Sequence, residues 1–109
     1  MIYEVITTDQ ADTDLRGIYE YIAFELLSPD NAAGQLERLE EHIIGLEEFP
    51  EKCIPYEKEP WHSRGLRVMP VDNYLVFYIL NKDAGIVTVV RVMYAGRDVD
   101  NQLNNYTAM

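Results

Sequence analysis

Cysteine occurs once, at Cys53, and histidine only twice, at His42 and His62. A lone thiol forms no internal disulfide and points to a reducing compartment. Neither histidine has a second one four residues on, so no metal-ligand spacing is present and no metal is expected. Cys53 with His62 lacks a third residue to orient a nucleophile. No glycine-rich phosphate loop occurs, and no cofactor is expected. Long apolar runs are missing too: nothing approaches the roughly 20 residues of a membrane span. The opening MIYEVITT has no basic segment ahead of an apolar run and does not read as a secretory signal. The expectation is a cytoplasmic protein with no membrane partner.

Positive charge is scarce and unevenly placed. The 109 residues carry 9 Lys and Arg against 19 Asp and Glu, a net of −10. Residues 1–60 hold 15 acidic and 4 basic side chains, and residues 61–109 hold 4 and 5. The first half repels nucleic acid and anionic membrane; an anionic target would have to meet the second half. Most of the acids read as solvated helix faces.

What is present is a patterned chain of one domain's length. Ile2 to Thr7 is β-rich and predicts a first strand within 1–8. Thr8 or Asp9 then caps a helix, with Leu15, Ile18, Tyr19, Ile22 and Leu26 on one stripe. Ser28-Pro29 starts a second helix, whose stripe is Ala32, Leu36, Leu39, Ile43 and Leu46, and Pro50 stops it. The short connection predicts an antiparallel helical hairpin over 9–49. Residues 50–63 have no period and read as a loop, where Trp61 is either a lid over the core edge or a partner contact.

Three strands follow within 64–95: Gly65 to Val71, Tyr74 to Leu80 and Ile86 to Tyr94. Pro70 suggests an edge strand or a bulge; Asp72-Asn73 and NKDAG (Asn81 to Gly85) are the turns. Residues 96–109 read as a tail. The plan is α+β, with an N-terminal strand, a helical hairpin and a three-stranded antiparallel meander. Strand order is not readable.

Period-two counting leaves both sheet faces apolar. In the second meander strand Tyr74, Val76, Tyr78 and Leu80 oppose Leu75, Phe77 and Ile79. In the third, Val87, Val89, Arg91 and Met93 oppose Ile86, Val90, Val92 and Tyr94. The hairpin covers one face. The other is expected either to bind a partner, including a second copy of the chain, or to be covered by the loop and tail.

Four segments carry a resemblance: DLRGIYEYIA (Asp14 to Ala23), LEEFP (Leu46 to Pro50), GLRVMPVDNYLVFYIL (Gly65 to Leu80) and VVRVMYAGRD (Val89 to Asp98). Together they resemble the RelE/ParE superfamily of toxins from type II toxin–antitoxin modules. The resemblance implies a cognate antitoxin that wraps and silences the protein, as a complex such as a heterotetramer. RelE-like members cut mRNA in the ribosome; ParE-like members poison DNA gyrase and are not nucleases. The RelE-like pattern puts lysines where this chain has Leu66 and Val68, and an arginine where it has Leu75. Only Arg97 matches, and the tyrosine expected some six residues later is Leu103, with Tyr106 close by. A third subgroup's Glu, Arg, His and Tyr set finds Glu57 or Glu59, Arg64 and Tyr94 here, but no histidine.

The ParE-like branch is therefore favoured, with DNA gyrase as the implied target and ribosome-dependent mRNA cleavage as the alternative. Arg64, Arg67, Arg91, Tyr94 and Arg97 are the expected contacts to antitoxin or target. Arg67, Tyr94 and Arg97 are the candidates for catalysis if the chain is a nuclease. Arg91 has a second reading, as an ion pair with a helix carboxylate.

Overall fold

The computed structural model describes residues 2–107. Strand β1 (Glu4–Thr7) leads into helix α1 (Asp9–Glu20). Thr8 is the cap: its hydroxyl accepts from the Ala11 N–H at 3.1 Å and donates to the Val90 carbonyl at 3.0 Å. One side chain thus starts the helix and ties it to the last strand. Helix α2 (Pro29–Ile44) folds back against α1, with proline in its first turn. Ala32, Leu39, Ile43 and Leu46 are buried, as the stripe predicts.

The first helix does not finish as its stripe predicts. Tyr21–Glu25 forms a π-helical turn, in which the Leu26 N–H reaches back to the Tyr21 carbonyl. A five-residue step rotates the stripe out of phase. Ala23 is buried instead, while Tyr21, Phe24 and Leu26 face solvent. Leu27 ends the turn in the left-handed region at φ 53° and is 83% exposed. The Ser28 N–H then bonds the Ile22 carbonyl, six residues back. Leucine thus holds the left-handed position after a helix end, where glycine is usual.

Strands β2 (Leu66–Val71), β3 (Tyr74–Asn81) and β4 (Ile86–Tyr94) form the meander. β1 joins it in parallel beside β4, so the order is β1-β4-β3-β2. Pro70 lies on an outer strand, where its missing N–H costs no ladder bond. Asp72, at φ 54°, makes the first turn, and the Asn81 side chain braces the second through the Ala84 N–H.

A bulge in β4 corrects the face assignment. Phe77 opposes Arg91 but Tyr78 opposes Val89, leaving Val90 as an extra residue. The alternation therefore inverts across Val90-Arg91. Val87, Val89 and Val92 lie in one core with Val76, Tyr78, Leu39, Ile43 and Leu46 under the helices. Val90 and Met93 lie in the other with Phe77.

That other face is not bare, which corrects the expectation of an open sheet. The 96–109 segment does not trail off: Val99–Tyr106 is a helix, α3, capped by the Asp98 side chain. Leu103 from α3, Trp61 from the loop and Leu66, Phe77, Val90 and Met93 from the sheet make a second buried cluster. Trp61 is 2% exposed. Its Nε1 donates to Asn104 Oδ1 at 2.9 Å, so it is a lid that also pins α3. Tyr56 and Lys58 both bond Asp100, fastening the start of α3 to the loop. Among the described residues, the loop and α3 cover this second face of the sheet.

Candidate functional site

Arg91 is not at the surface. It is 5% exposed, and its guanidinium is fully engaged from inside. Nε and Nη2 donate to the Asp14 carboxylate at 2.7 and 3.0 Å. Nη1 donates to the Tyr106 carbonyl and the Thr107 hydroxyl, each at 3.1 Å. Asp14 Oδ2 also accepts from the Val92 N–H at 2.9 Å. β1 pairs with β4 only as far as Val89, so Asp14 takes over the strand edge where β1 ends. The node joins α1, β4 and the end of α3. Of Arg91's two readings, this geometry is the ion pair.

Tyr94 and Arg97 lie where β4 leaves the sheet. The Ala95 N–H bonds the Asn73 carbonyl at 2.8 Å, and the Arg97 N–H bonds the Tyr94 carbonyl at 3.1 Å. The turn folds the Tyr94 ring over Gly96, where an added Cβ would lie 2.5 Å from Tyr94 Cε2. Gly96 is thus the space the ring occupies. Tyr94 also meets Tyr74 edge-on, with centroids 5.9 Å apart, and stays 55% exposed. Burial pushes the Tyr74 hydroxyl above its usual value.

Both residues line a groove of about 1110 Å³ between the tip of the helical hairpin and the β3–β4 end of the sheet. Ile18, Tyr21, Ile22 and Leu26 form its apolar wall. Its other cation, Arg38, is tied to Asp72 at 2.8 Å, with Gln35 donating to the same oxygen at 3.0 Å. Those contacts, Arg38 first, hold the Asp72 carboxyl below its usual range. The Arg97 guanidinium meets no described carboxylate. The groove therefore offers an aromatic-aliphatic wall with one uncommitted positive charge.

The remaining candidates lie elsewhere. Arg64 stacks over the Trp61 ring, its Cζ 4.9 Å from the centroid. Arg67 donates to the Cys53 and Glu51 carbonyls at 2.7 and 3.3 Å and braces the loop against β2. Neither lines the groove, and neither do Glu57 or Glu59; Glu59 is bonded by Ser63. The five expected contacts therefore do not form one site: two share the groove, two stand at the loop, and one is interior. His42 and His62 each bond a backbone carbonyl, of Arg38 and Tyr56 respectively. Among the described residues, no group of three or more His, Cys, Asp or Glu is placed to hold a metal ion. None of their helices is long and apolar enough to cross a membrane.

Reasoning from sequence missed Tyr21 and Leu26 as groove residues, because the π turn is what frees them. It also missed α3, although Asp98 followed by Val99 and Leu103 is a cap with an i, i+4 apolar pair.

Comparison with known proteins agrees with this architecture. The family described as ParE toxin of type II toxin-antitoxin system, parDE, matches residues 5–99. No curated protein matches the sequence significantly. A chain of the chromosomal ParDE system from P. aeruginosa superposes with a TM-score of 0.70 at 17% identity, covering 85% of this chain and 96% of that one. The RelBE2 toxin–antitoxin complex from Mycobacterium tuberculosis gives 0.63 at 21%, covering 86% and 92%. The archaeal RelE–RelB complex from Pyrococcus horikoshii gives 0.59 at 20%, covering 89% and 99%. At these identities the structures establish the shared fold. The family match spans most of the sequence, and the chain belongs to the ParE toxin family of type II toxin–antitoxin systems.

Proposed function

We propose that this toxin arrests growth by binding a protein target, with DNA gyrase the target its ParE-like character suggests, and that a cognate antitoxin neutralises it. One observation carries the choice of binding over RNA cleavage. Leu66, Val68 and Leu75 hold the positions that a RelE-like nuclease gives to cations, and all three belong to the apolar cluster beneath α3 and Trp61. Cleavage at a 2′-hydroxyl needs a base for its proton and cations for the phosphorane. In this chain those positions supply hydrocarbon.

The groove is the contact surface in this reading. Aromatic rings and an arginine are the residue types that dominate binding energy at interfaces, and Tyr21, Tyr94 and Arg97 supply them. Arg97 lies outside both cores, so the domain does not need it to fold.

The test is induced expression of the wild type and of Arg97→Ala. The wild type is expected to arrest growth with a DNA-damage response and intact transcripts. The variant should lose about tenfold or more in arrest, since removing one interface arginine costs on the order of 1–2 kcal/mol. Its melting temperature should not move. Transcripts cut on induction would replace binding with nuclease activity, and full arrest by the variant would remove Arg97 from the contact.

A further inference from the structure

At the tip of the helical hairpin, Tyr21, Phe24, Leu26 and Leu27 all stand in solvent, Leu27 the furthest out at 83% exposed. The π turn puts them there: its wider step sends Ala23 to the core and its larger neighbours outward. Leu27 also lies in the left-handed region, at φ 53°. Glycine takes that conformation without strain, and leucine does not. The residue therefore works against the fold twice. Its backbone is strained, and its side chain gains almost no burial. A strained backbone that carries a large apolar group into water points to a use outside the domain.

The hairpin around this tip carries charge of one sign. No Lys or Arg occurs between Arg16 and Arg38, whereas Glu20, Glu25, Asp30 and Glu37 do. Glu20, Glu25 and Asp30 are exposed, and none of them joins an ion pair among the described residues. Arg38 is held by Asp72 and does not offset them. Tyr21 and Leu26 also line the groove that holds Tyr94 and Arg97; Phe24 and Leu27 do not, and project beyond it.

From these facts we infer that the hairpin tip is a knob that enters an apolar pocket on the toxin's protein target, and that basic side chains rim that pocket. The inference rests on the reading of the chain as a toxin that acts by binding a protein, and it adds what the target presents to receive it. Charge selects the occupant. A second copy would set one acidic tip against another, and nucleic acid or an anionic membrane would be repelled. Phe24, Leu26 and Leu27 supply the apolar anchor, the kind of contact that fills the centre of a tight interface. Lys and Arg around the pocket would meet Glu20, Glu25 and Asp30. Because Tyr21 and Leu26 belong to both surfaces, the tip continues the contact that Tyr94 and Arg97 begin.

The test compares growth arrest, at matched soluble expression, for the wild type, Leu27→Gly, Leu27→Met, Phe24→Ser and E20K/E25K. Leu27→Gly should raise the melting temperature by about 4 °C, because strain is relieved and little burial is lost. It should nonetheless weaken arrest by about tenfold or more. Loss of activity in a more stable chain is not a folding defect. Leu27→Met keeps the apolar knob and should keep the arrest. Phe24→Ser and E20K/E25K should each weaken arrest by about tenfold, the second through like-charge repulsion, and circular dichroism checks that both fold. Undiminished arrest by Leu27→Gly, or arrest by E20K/E25K at or above the wild-type level, would overturn the proposal. So would sedimentation showing a wild-type dimer that Leu27→Gly separates, since the occupant would then be a second copy. The functional reading survives each of those results if Arg97→Ala still loses arrest. A wild type that leaves growth unaffected defeats that reading and takes this inference with it.

Discussion

Asp14 and Arg91 lie 77 positions apart in sequence and meet through two hydrogen bonds in an almost water-free site. A buried pair of this kind contributes little net stability over an apolar substitute, but losing one partner strands the other. Asp14→Ala should therefore cost about 3–5 kcal/mol in urea unfolding. Asp14→Asn keeps an acceptor for the Val92 N–H and should cost less. Arg97→Ala, on the same stretch of chain, should leave the unfolding curve where it is. That contrast separates the two arginines of the VVRVMYAGRD segment by experiment. Their difference was only half legible beforehand. Arg91 stood out as a charge inside an apolar strand, and an ion pair with a helix was one of its two readings. Which reading holds depends on the bulge at Val90, and strict alternation cannot reveal a bulge because it is the exception to the period.

At the level of elements, the long periodic pieces were readable and the short ones were not. α2 repeats its apolar positions over four turns, and the meander alternates over several strands, so pattern alone finds them. α3 has eight residues and two apolar anchors, Val99 and Leu103, too few to show a period. The π turn adds no residue type that announces it. α3 is nonetheless what closes the second core. Leu103→Ala should cost about 2–4 kcal/mol, as truncation of a fully buried leucine does. Trp61 is the only tryptophan and bonds α3 directly, so its emission should report the loosening.

Acid should act on the same element. Lys58, and after it the Tyr56 hydroxyl, hold the Asp100 carboxyl below its usual range. A lowered folded value means that this stabilisation is complete above the unfolded value, near pH 4, and is lost as pH falls through the folded one. The group is partly exposed, so the effect is modest. Trp61 emission should stay flat from neutral pH to about pH 4 and change below it. An Asp100→Asn variant should lack that step.

For the whole molecule the dominant fact is charge. A net of −10, all of it arising in residues 1–60, makes the compact state repel itself. Added sodium chloride screens that repulsion over about 8–10 Å near physiological strength. The melting temperature should therefore rise between about 20 and about 300 mM salt. A protein held mainly by exposed ion pairs would show the opposite slope.

The order in which the pieces meet has a consequence for synthesis. β1 emerges before β4 but pairs with it, and Arg91 gains its last acceptors only at Tyr106 and Thr107. A nascent chain therefore cannot tie its central knot until Thr107 has been made. Interrupted products end without the clasp that joins first helix to last. They should be open and protease-sensitive, because the first helix and the last strand are then held by fewer of the bonds that close the fold.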